Sequence, residues 1–398
     1  MNNKYLNIFL YLIGEVVSKG IPFALLPYLT RKLGAEGFGE LSYYLSIVAI
    51  TMVFVSLSQD AASFSYYYKK GKNALPYLVC TGFIINSIMS LLSLLILNFF
   101  IKNTTVVVVL ASLTVVYNYY LSFLQAQQKV KQYILIQISC AFFIASFTFI
   151  FLELGAINFV QKRMESLILA YFLSSIPFII YVIKNFGKIN YSKFRLYFLY
   201  ILGYGLPLIL HQLGIYVKGQ LDRIFIYQQY SKSELGVYSA GVQVAALLPV
   251  FLMAINKAIV PYYYQSLREK KLTIDTIQRY VLYSLPLCVL PSLVAWCIPE
   301  QFFLWFLGDE YTNSKYYIVM YLLGFGLTLP YLLLVNYFFY HGKNLVISKI
   351  TLTASLFYLL LLWFLAAKDI TLVPYALILS NILLLGILWK QICNEKRG

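Results

Sequence analysis

The chain has 398 residues, 61% of them hydrophobic and only 12% charged, with a mean hydropathy of +0.75 and a formal net charge of +16. Apolar runs of about 20 residues, the length that crosses a bilayer as a helix, return along the whole length and exclude a soluble domain. A membrane barrel is excluded too, because its strands alternate apolar and polar over ~10 residues, whereas these runs are apolar on every face. In chain order the spans are expected to start near Tyr5, Phe38, Pro76, Thr104, Tyr133, Met164, Tyr197, Leu235, Tyr280, Tyr316, Leu345 and Thr371. The fold class is therefore all-α, a polytopic membrane protein with twelve transmembrane helices.

The first span lacks a basic leader and a small-residue cleavage site and runs on through Pro22 and Pro27 to Thr30, so it is expected to be retained rather than cleaved. Residues 38–68 laid over 235–265 without gaps match at Gly39/Gly236, Ser42/Ser239, Ala49/Ala246, Val53/Val250, Phe54/Phe251, Ala61/Ala258, Tyr66/Tyr263 and Tyr67/Tyr264. This points to a duplication. The basic connection 184–195, with a turn-forming glycine and asparagine, separates two expected six-helix bundles, 1–187 and 188–398. Six is even, so equivalent helices run in the same direction and the pseudo-twofold axis is expected along the membrane normal. Carriers built this way bind substrate between similar bundles and rock around it.

Orientation follows from the basic residues. With the N-terminus inside, the inner segments collect 19 Lys and Arg against ten outside, so both termini are expected in the cytoplasm. Topology and anionic lipid at the inner surface account for the positive charge, and nucleic acid is not needed as a partner. Cys80, Cys140, Cys288, Cys297 and Cys393 have neither paired nor metal-ligand spacing, and His211 and His341 stand apart from each other and from carboxylates. No metal, cofactor or catalytic residue is expected. A nucleotide-binding loop is also absent from the sequence, so active transport would draw on an ion gradient or on consumption of the product.

Residues 31–42 join the first two spans and carry Gly34, Gly37 and Gly39, as a tight helix-to-helix turn requires. With Arg31, Lys32, Leu33 and Gly34 before Phe38 and Gly39, Asp222 and Arg223 ending the seventh span, and Leu235, Gly236, Tyr238 and Ser239 opening the eighth, the chain resembles the polysaccharide transporter branch of the multidrug/oligosaccharidyl-lipid/polysaccharide exporter superfamily. Within that branch it is similar to O-antigen repeat-unit flippases. The likeness in organisation covers essentially the whole chain, while the specific motifs occupy two hairpins. The resemblance implies transfer of an undecaprenyl-diphosphate-linked oligosaccharide from the cytoplasmic to the outer leaflet of a bacterial inner membrane. It implies a V-shaped pair of bundles with a polar cavity, and a polysaccharide polymerase and a chain-length regulator as partners.

A diphosphate crossing hydrocarbon needs cations in place of its hydration, so charges inside spans are the candidate site. Lys19 is expected as a cavity cation or as the partner of Glu15 one turn earlier, and Glu15 alternatively as a titrating group that couples entry of a proton or sodium ion. The repeat sets Asp60 on Lys257, read either as a gate latch or as two separate residues near the inner helix ends. Lys218 and Arg223 are read as cations at the outer mouth of the cavity with Asp222 as an ion-coupling or gate residue, or alternatively as an i,i+4 Lys218/Asp222 pair capping a helix. Arg31 and Lys32 are cavity cations or interface anchors. The clusters Tyr66–Tyr68 and Tyr262–Tyr264 read as an aromatic belt at headgroup depth, while Asn118, Gln125, Gln212 and Gln243 are candidates for a hydrated sugar path.

Three rival functions stay open. A multidrug or cation exporter and a lipid II flippase of the same superfamily share the architecture. A membrane glycan polymerase or glycosyltransferase is of a different class and usually needs a large outer loop or an acidic metal motif. Here the outer connections are short, and the only adjacent acids there, Asp309 and Glu310, read as a solvated turn.

Overall fold

A computed structural model describes residues 14, 17–154, 158–187 and 191–397. Among them there is no strand. The helices are α1 Leu26–Ser56, α2 Gln59–Lys70, α3 Leu75–Leu97, α4 Thr104–Ala126, α5 Val130–Glu153, α6 Phe159–Phe186, α7 Tyr191–Gln229, α8 Lys232–Ala245, α9 Leu247–Arg268, α10 Ile274–Cys297, α11 Glu300–Leu307, α12 Ser314–Gly326, α13 Thr328–Tyr340, α14 Asn344–Ala366 and α15 Val373–Arg397. Ten helical spans are long and apolar enough to cross a bilayer, and Tyr191–Ile209 with Gln212–Gln229, bent by 49°, make an eleventh. The span expected from Tyr5 lies in part outside the described residues. The span expected from Phe38 falls inside α1, which begins at Leu26 and continues across the turn at Gly34; the other span starts fall within about six residues of the observed ones, and α6, α7 and α10 begin earlier because their polar first turns continue the helix past the apolar run.

Three helix breaks lie beside prolines. A turn at Leu25 separates helical residues 17–24 from α1 next to Pro27, α8 gives way to α9 three residues before Pro249, and α12 to α13 three before Pro330. A proline ring removes one backbone bond and collides with the carbonyl four residues back. Pro177, Pro261, Pro286 and Pro291 stay within continuous helices.

The chain forms two compact units. One comprises the chain up to Leu33 and residues 43–213; the other comprises 34–42 and 214–398. In the first, Phe178 packs against Tyr119, Tyr120 and Phe123, and Tyr197 against Tyr66 and Tyr77. In the second, the core gathers Tyr263, Leu334, Phe338, Ala354, Leu388 and their neighbours. The tyrosine clusters are thus only in part a belt: Tyr68 and Tyr262 face outward, but Tyr263 is buried, because its hydroxyl reaches the Leu333 carbonyl at 2.8 Å.

The segment 34–42 is built into the second unit by backbone contacts. Gly34 turns the chain at φ 67°, its carbonyl accepts from the Tyr311 hydroxyl at 3.0 Å, and the next N–H, that of Ala35, donates to Glu310 Oε2 at 2.8 Å. Burial holds the Tyr311 hydroxyl well above the ordinary tyrosine range, so it remains a donor. Glu310, expected to be merely solvated, caps this turn. Lys232 pairs with Glu40 at 2.9 Å. The duplicated glycines meet here: a Cβ on Gly39 would lie 1.9 Å from the Lys232 carbonyl oxygen, and one on Gly236 1.8 Å from that of Ala35. Gly39→Ala is therefore expected to destabilise by about 1–3 kcal/mol through overpacking, whereas Gly386→Ala, with nothing within 4 Å of its Cβ position, is expected to unfold at the wild-type temperature when both are heated in detergent.

Candidate functional site

In the first unit the polar site lies along a helix break that contains neither proline nor glycine. Leu57 (φ 43°) and Ser58 (φ 50°) are both left-handed between α1 and α2, each at a strain of about 1–2 kcal/mol. Both are buried and held by α7: Gly205 presses its backbone on the Leu57 carbonyl, where a Cβ would come within 2.0 Å of the oxygen, and Gln212 Nε2 donates to Ser58 Oγ at 2.9 Å. The Ser58 carbonyl restarts the helix by accepting from Ala62 N at 3.0 Å.

Just past the break, Gln59 and Asp60 line a cavity of about 250 Å³. From α1 it is lined by Ala49, Met52, Val53 and Ser56, one face of the helix at spacings of three and four; α4 contributes Val115, Asn118 and Tyr119, and α7 contributes Gln212. The Tyr119 hydroxyl is shared with Ser63 at 2.5 Å. Gly82 of α3 leaves room for both rings and amides, since a Cβ there would lie 2.7 Å from Tyr119 Cε1 and 3.1 Å from Gln59 Oε1. Gln59 is 1% exposed, and among the described residues neither its amide oxygen nor its nitrogen has a hydrogen-bond partner. No cation lies within ion-pair range of Asp60 among the described residues. Asp60 sits in the first turn of α2 and not at its far end, since α2 runs on to Lys70, about 15 Å further at 1.5 Å per residue.

The second unit holds a different constellation. Asp222 is 2% exposed; its Oδ2 accepts from the hydroxyls of Tyr238 and Tyr321, and its Oδ1 from the Arg223 N–H at 2.9 Å, with the Arg223 guanidinium at 3.6 Å. Arg223 Nη1 turns back on its own helix, to the Gly219 carbonyl at 2.9 Å and Gln220 Oε1 at 2.8 Å. The i,i+4 Lys218/Asp222 pair does not form, because the tyrosines of α8 and α12 occupy that carboxylate. Half-buried Lys218 instead donates to Asn381 Oδ1 at 2.9 Å, and Asn381 Nδ2 donates to the Gly324 carbonyl at 3.0 Å. No carboxylate lies in ion-pair range of Lys218 among the described residues.

The remaining candidates are dispersed. Lys19, Arg31 and Lys257 are exposed on their helices, and Glu15 lies outside the described residues. Lys32 pairs with Glu153 at 3.0 Å. Asn118 and Gln212 meet at the cavity as a sugar path would require, while Gln125 and Gln243 point outward. Sequence reasoning missed Gln59, Tyr119 and Asn381, which look unremarkable without the break or the helix pairing. It also missed Arg163, one of the ten basic residues assigned to the outer segments: it is 7% exposed within α6, with Nη1 donating to Thr148 and Nε without a partner among the described residues.

A model of the polysaccharide biosynthesis protein family matches residues 6–267. The Lsg locus protein 1 of Haemophilus influenzae is 38% identical over 388 residues, 96% of each chain, and a second membrane protein of that organism is 38% identical over 384 residues, 96% of this chain and 95% of the relative. An inward-facing multidrug resistance MATE transporter of the MOP superfamily superposes with a TM-score of 0.68 at 14% identity, over 97% of this chain and 96% of the other. The lipid II flippase MurJ in an inward closed conformation gives 0.68 at 12% identity, over 98% and 87%. These two likenesses establish a shared fold.

The two Asp222 phenols and Arg223 need an acceptor. Asp222→Ala is expected to destabilise by about 3–5 kcal/mol, the usual effect of removing one partner from a buried charged network, whereas Lys218→Met, which leaves no buried charge behind, is expected to unfold at or above the wild-type temperature by circular dichroism in detergent.

Proposed function

Because the chain belongs to the polysaccharide biosynthesis protein family, we propose that it is a flippase that moves undecaprenyl-diphosphate-linked oligosaccharide repeat units, of O-antigen or a similar surface polysaccharide, from the cytoplasmic to the outer leaflet of a bacterial inner membrane by alternating access. Both termini face the cytoplasm in this reading. The observation that carries it is Lys218, an ammonium within a spanning helix whose hydrogen-bond partner is a neutral amide oxygen. A charge at such depth is costly unless something compensates it. Two of its three N–H donors remain for a ligand, and a diphosphate supplies the oxygens that charge-assisted bonds favour. Arg223 is spent on Asp222 and its own helix, so it positions rather than binds. Exposed Lys19, Arg31 and Lys257 extend the cationic set, and Asp60 serves the coupling ion or the glycan.

A second reading, export of small organic cations, is favoured by one observation: the Asp60 carboxylate faces a cavity with four apolar lining residues, a setting that suits an amphipathic cation.

Reconstitution into liposomes with undecaprenyl-diphosphate-linked glycan separates the two. Protein-dependent access of an impermeant glycan-cleaving enzyme to lipid loaded in the opposite leaflet is expected, falling about tenfold or more for Lys218→Ala and partly recovered by Lys218→Arg. Efflux of small cations with no movement of any lipid-linked glycan would replace the flippase with the exporter.

A further inference from the structure

We infer that the cavity of the first unit is a carbohydrate subsite that takes one neutral pyranose ring, a deepening that rests on the lipid-linked glycan reading. Gln59 is the starting point. A buried amide with neither donor nor acceptor satisfied is rare in a folded protein and marks a missing partner. Gln59 lines the cavity together with the Asp60 carboxylate and the amides of Asn118 and Gln212, its own amide atoms buried. A vicinal diol matches this set: its two O–H groups donate to a carboxylate in charge-assisted bonds, and its oxygens accept from amide N–H groups. Met52, Val53 and Val115 supply the apolar contact that the C–H faces of a sugar ring require.

Size and composition select among occupants. About 250 Å³ is far more than the ~30 Å³ of a water and just below the ~300–1,000 Å³ of pockets that take a drug-sized molecule. One carboxylate among amides spread over such a space makes a poor cage for a bare ion, whose oxygen ligands must converge to within ~2.6 Å. Charge then sets specificity. Asp60 has no cation beside it among the described residues, so a uronic or sialic acid would bring a second carboxylate into a partly dry space, and such sugars are rejected. Gly82 sets the width, because a Cβ there would press on Tyr119 and the Gln59 amide together.

The test uses the full chain in lipid nanodiscs and saturation-transfer difference NMR with methyl glycosides of glucose, galactose, mannose, N-acetylglucosamine and N-acetylgalactosamine, and with methyl glucuronide and a methyl sialoside. At least one neutral glycoside is expected to bind and both acidic ones to fail. Asn118→Leu, at an exposed position, and Gln59→Leu are each expected to weaken binding tenfold or more, with Gly386→Ala, in open space, binding as the wild type does. Gly82→Ala is expected to reduce binding with the same sugar preference, which keeps the result readable if Gln59→Leu folds poorly. No neutral glycoside binding, binding indifferent to Asn118→Leu, or stabilisation by sodium ions with no sugar bound would each overturn the subsite. Sugar binding is read without transport, so a chain that binds the glycoside but flips no lipid-linked glycan would refute the flippase and leave the subsite standing.

Discussion

Inside hydrocarbon every backbone N–H and C=O must find its partner within the protein, so a helix breaks there only where neighbouring chain covers the break. The two left-handed residues Leu57 and Ser58 meet that condition through α7: a glycine backbone lies against one carbonyl, and a glutamine side chain holds the serine hydroxyl. Gln59 and Asp60 follow Ser56 by three and four residues, so at about 100° per residue they keep to the face of Ala49, Met52, Val53 and Ser56. The covered break leaves that facing intact, and both stretches line one cavity with Asn118 and Tyr119 of α4.

The second unit handles charge differently. Asp222 and Arg223 are adjacent, nearly sequestered and mutually compensated, and the carboxylate ties α7 to α8 and α12 through two phenols. Such a network specifies which helix faces which, while its net contribution to stability is small once desolvation is counted. Lys218, one turn away, is left with an amide for a partner. An uncharged residue at that point would serve the packing of α7 against α15 as well, so the ammonium carries a desolvation cost that packing alone does not require.

Hydropathy made the spans legible because bilayer thickness is a strict ruler, and the hairpin glycines were legible because Gly34 needs positive φ and Gly39 a close approach. Proline-linked breaks at Pro27, Pro249 and Pro330 were readable for the same local reason. The Leu57–Ser58 break was not, since neither residue prefers a left-handed backbone and the cause lies in residues 205 and 212, far along the chain. Lys218 was visible as an intramembrane charge, but its partner was not: helical spacing offered Asp222 one turn on, and only the packing of α8 and α12 shows that carboxylate to be taken. Arg163 failed for a related reason, because an arginine in the first turn after a connection looks solvated until Thr148 of α5 is seen beside it.

The duplication itself separates packing from chemistry. Where the repeats agree, the residue serves the backbone or the core: Gly39 and Gly236 allow their helices to touch, and Tyr66 and Tyr263 fill space between helices of their own unit. Where they differ, function has room to diverge. The counterparts of Leu57 and Ser58 are Ala254 and Ile255, which lie within the continuous helix α9, and the counterpart of cavity-lining Asp60 is exposed Lys257. The first unit therefore carries a strained helix break beside a pocket with one carboxylate, while the second keeps its helix intact and has a lysine hydrogen-bonded to an amide on α7. Opposite charges at equivalent positions, Asp60 and Lys257, mark where the two repeats have parted.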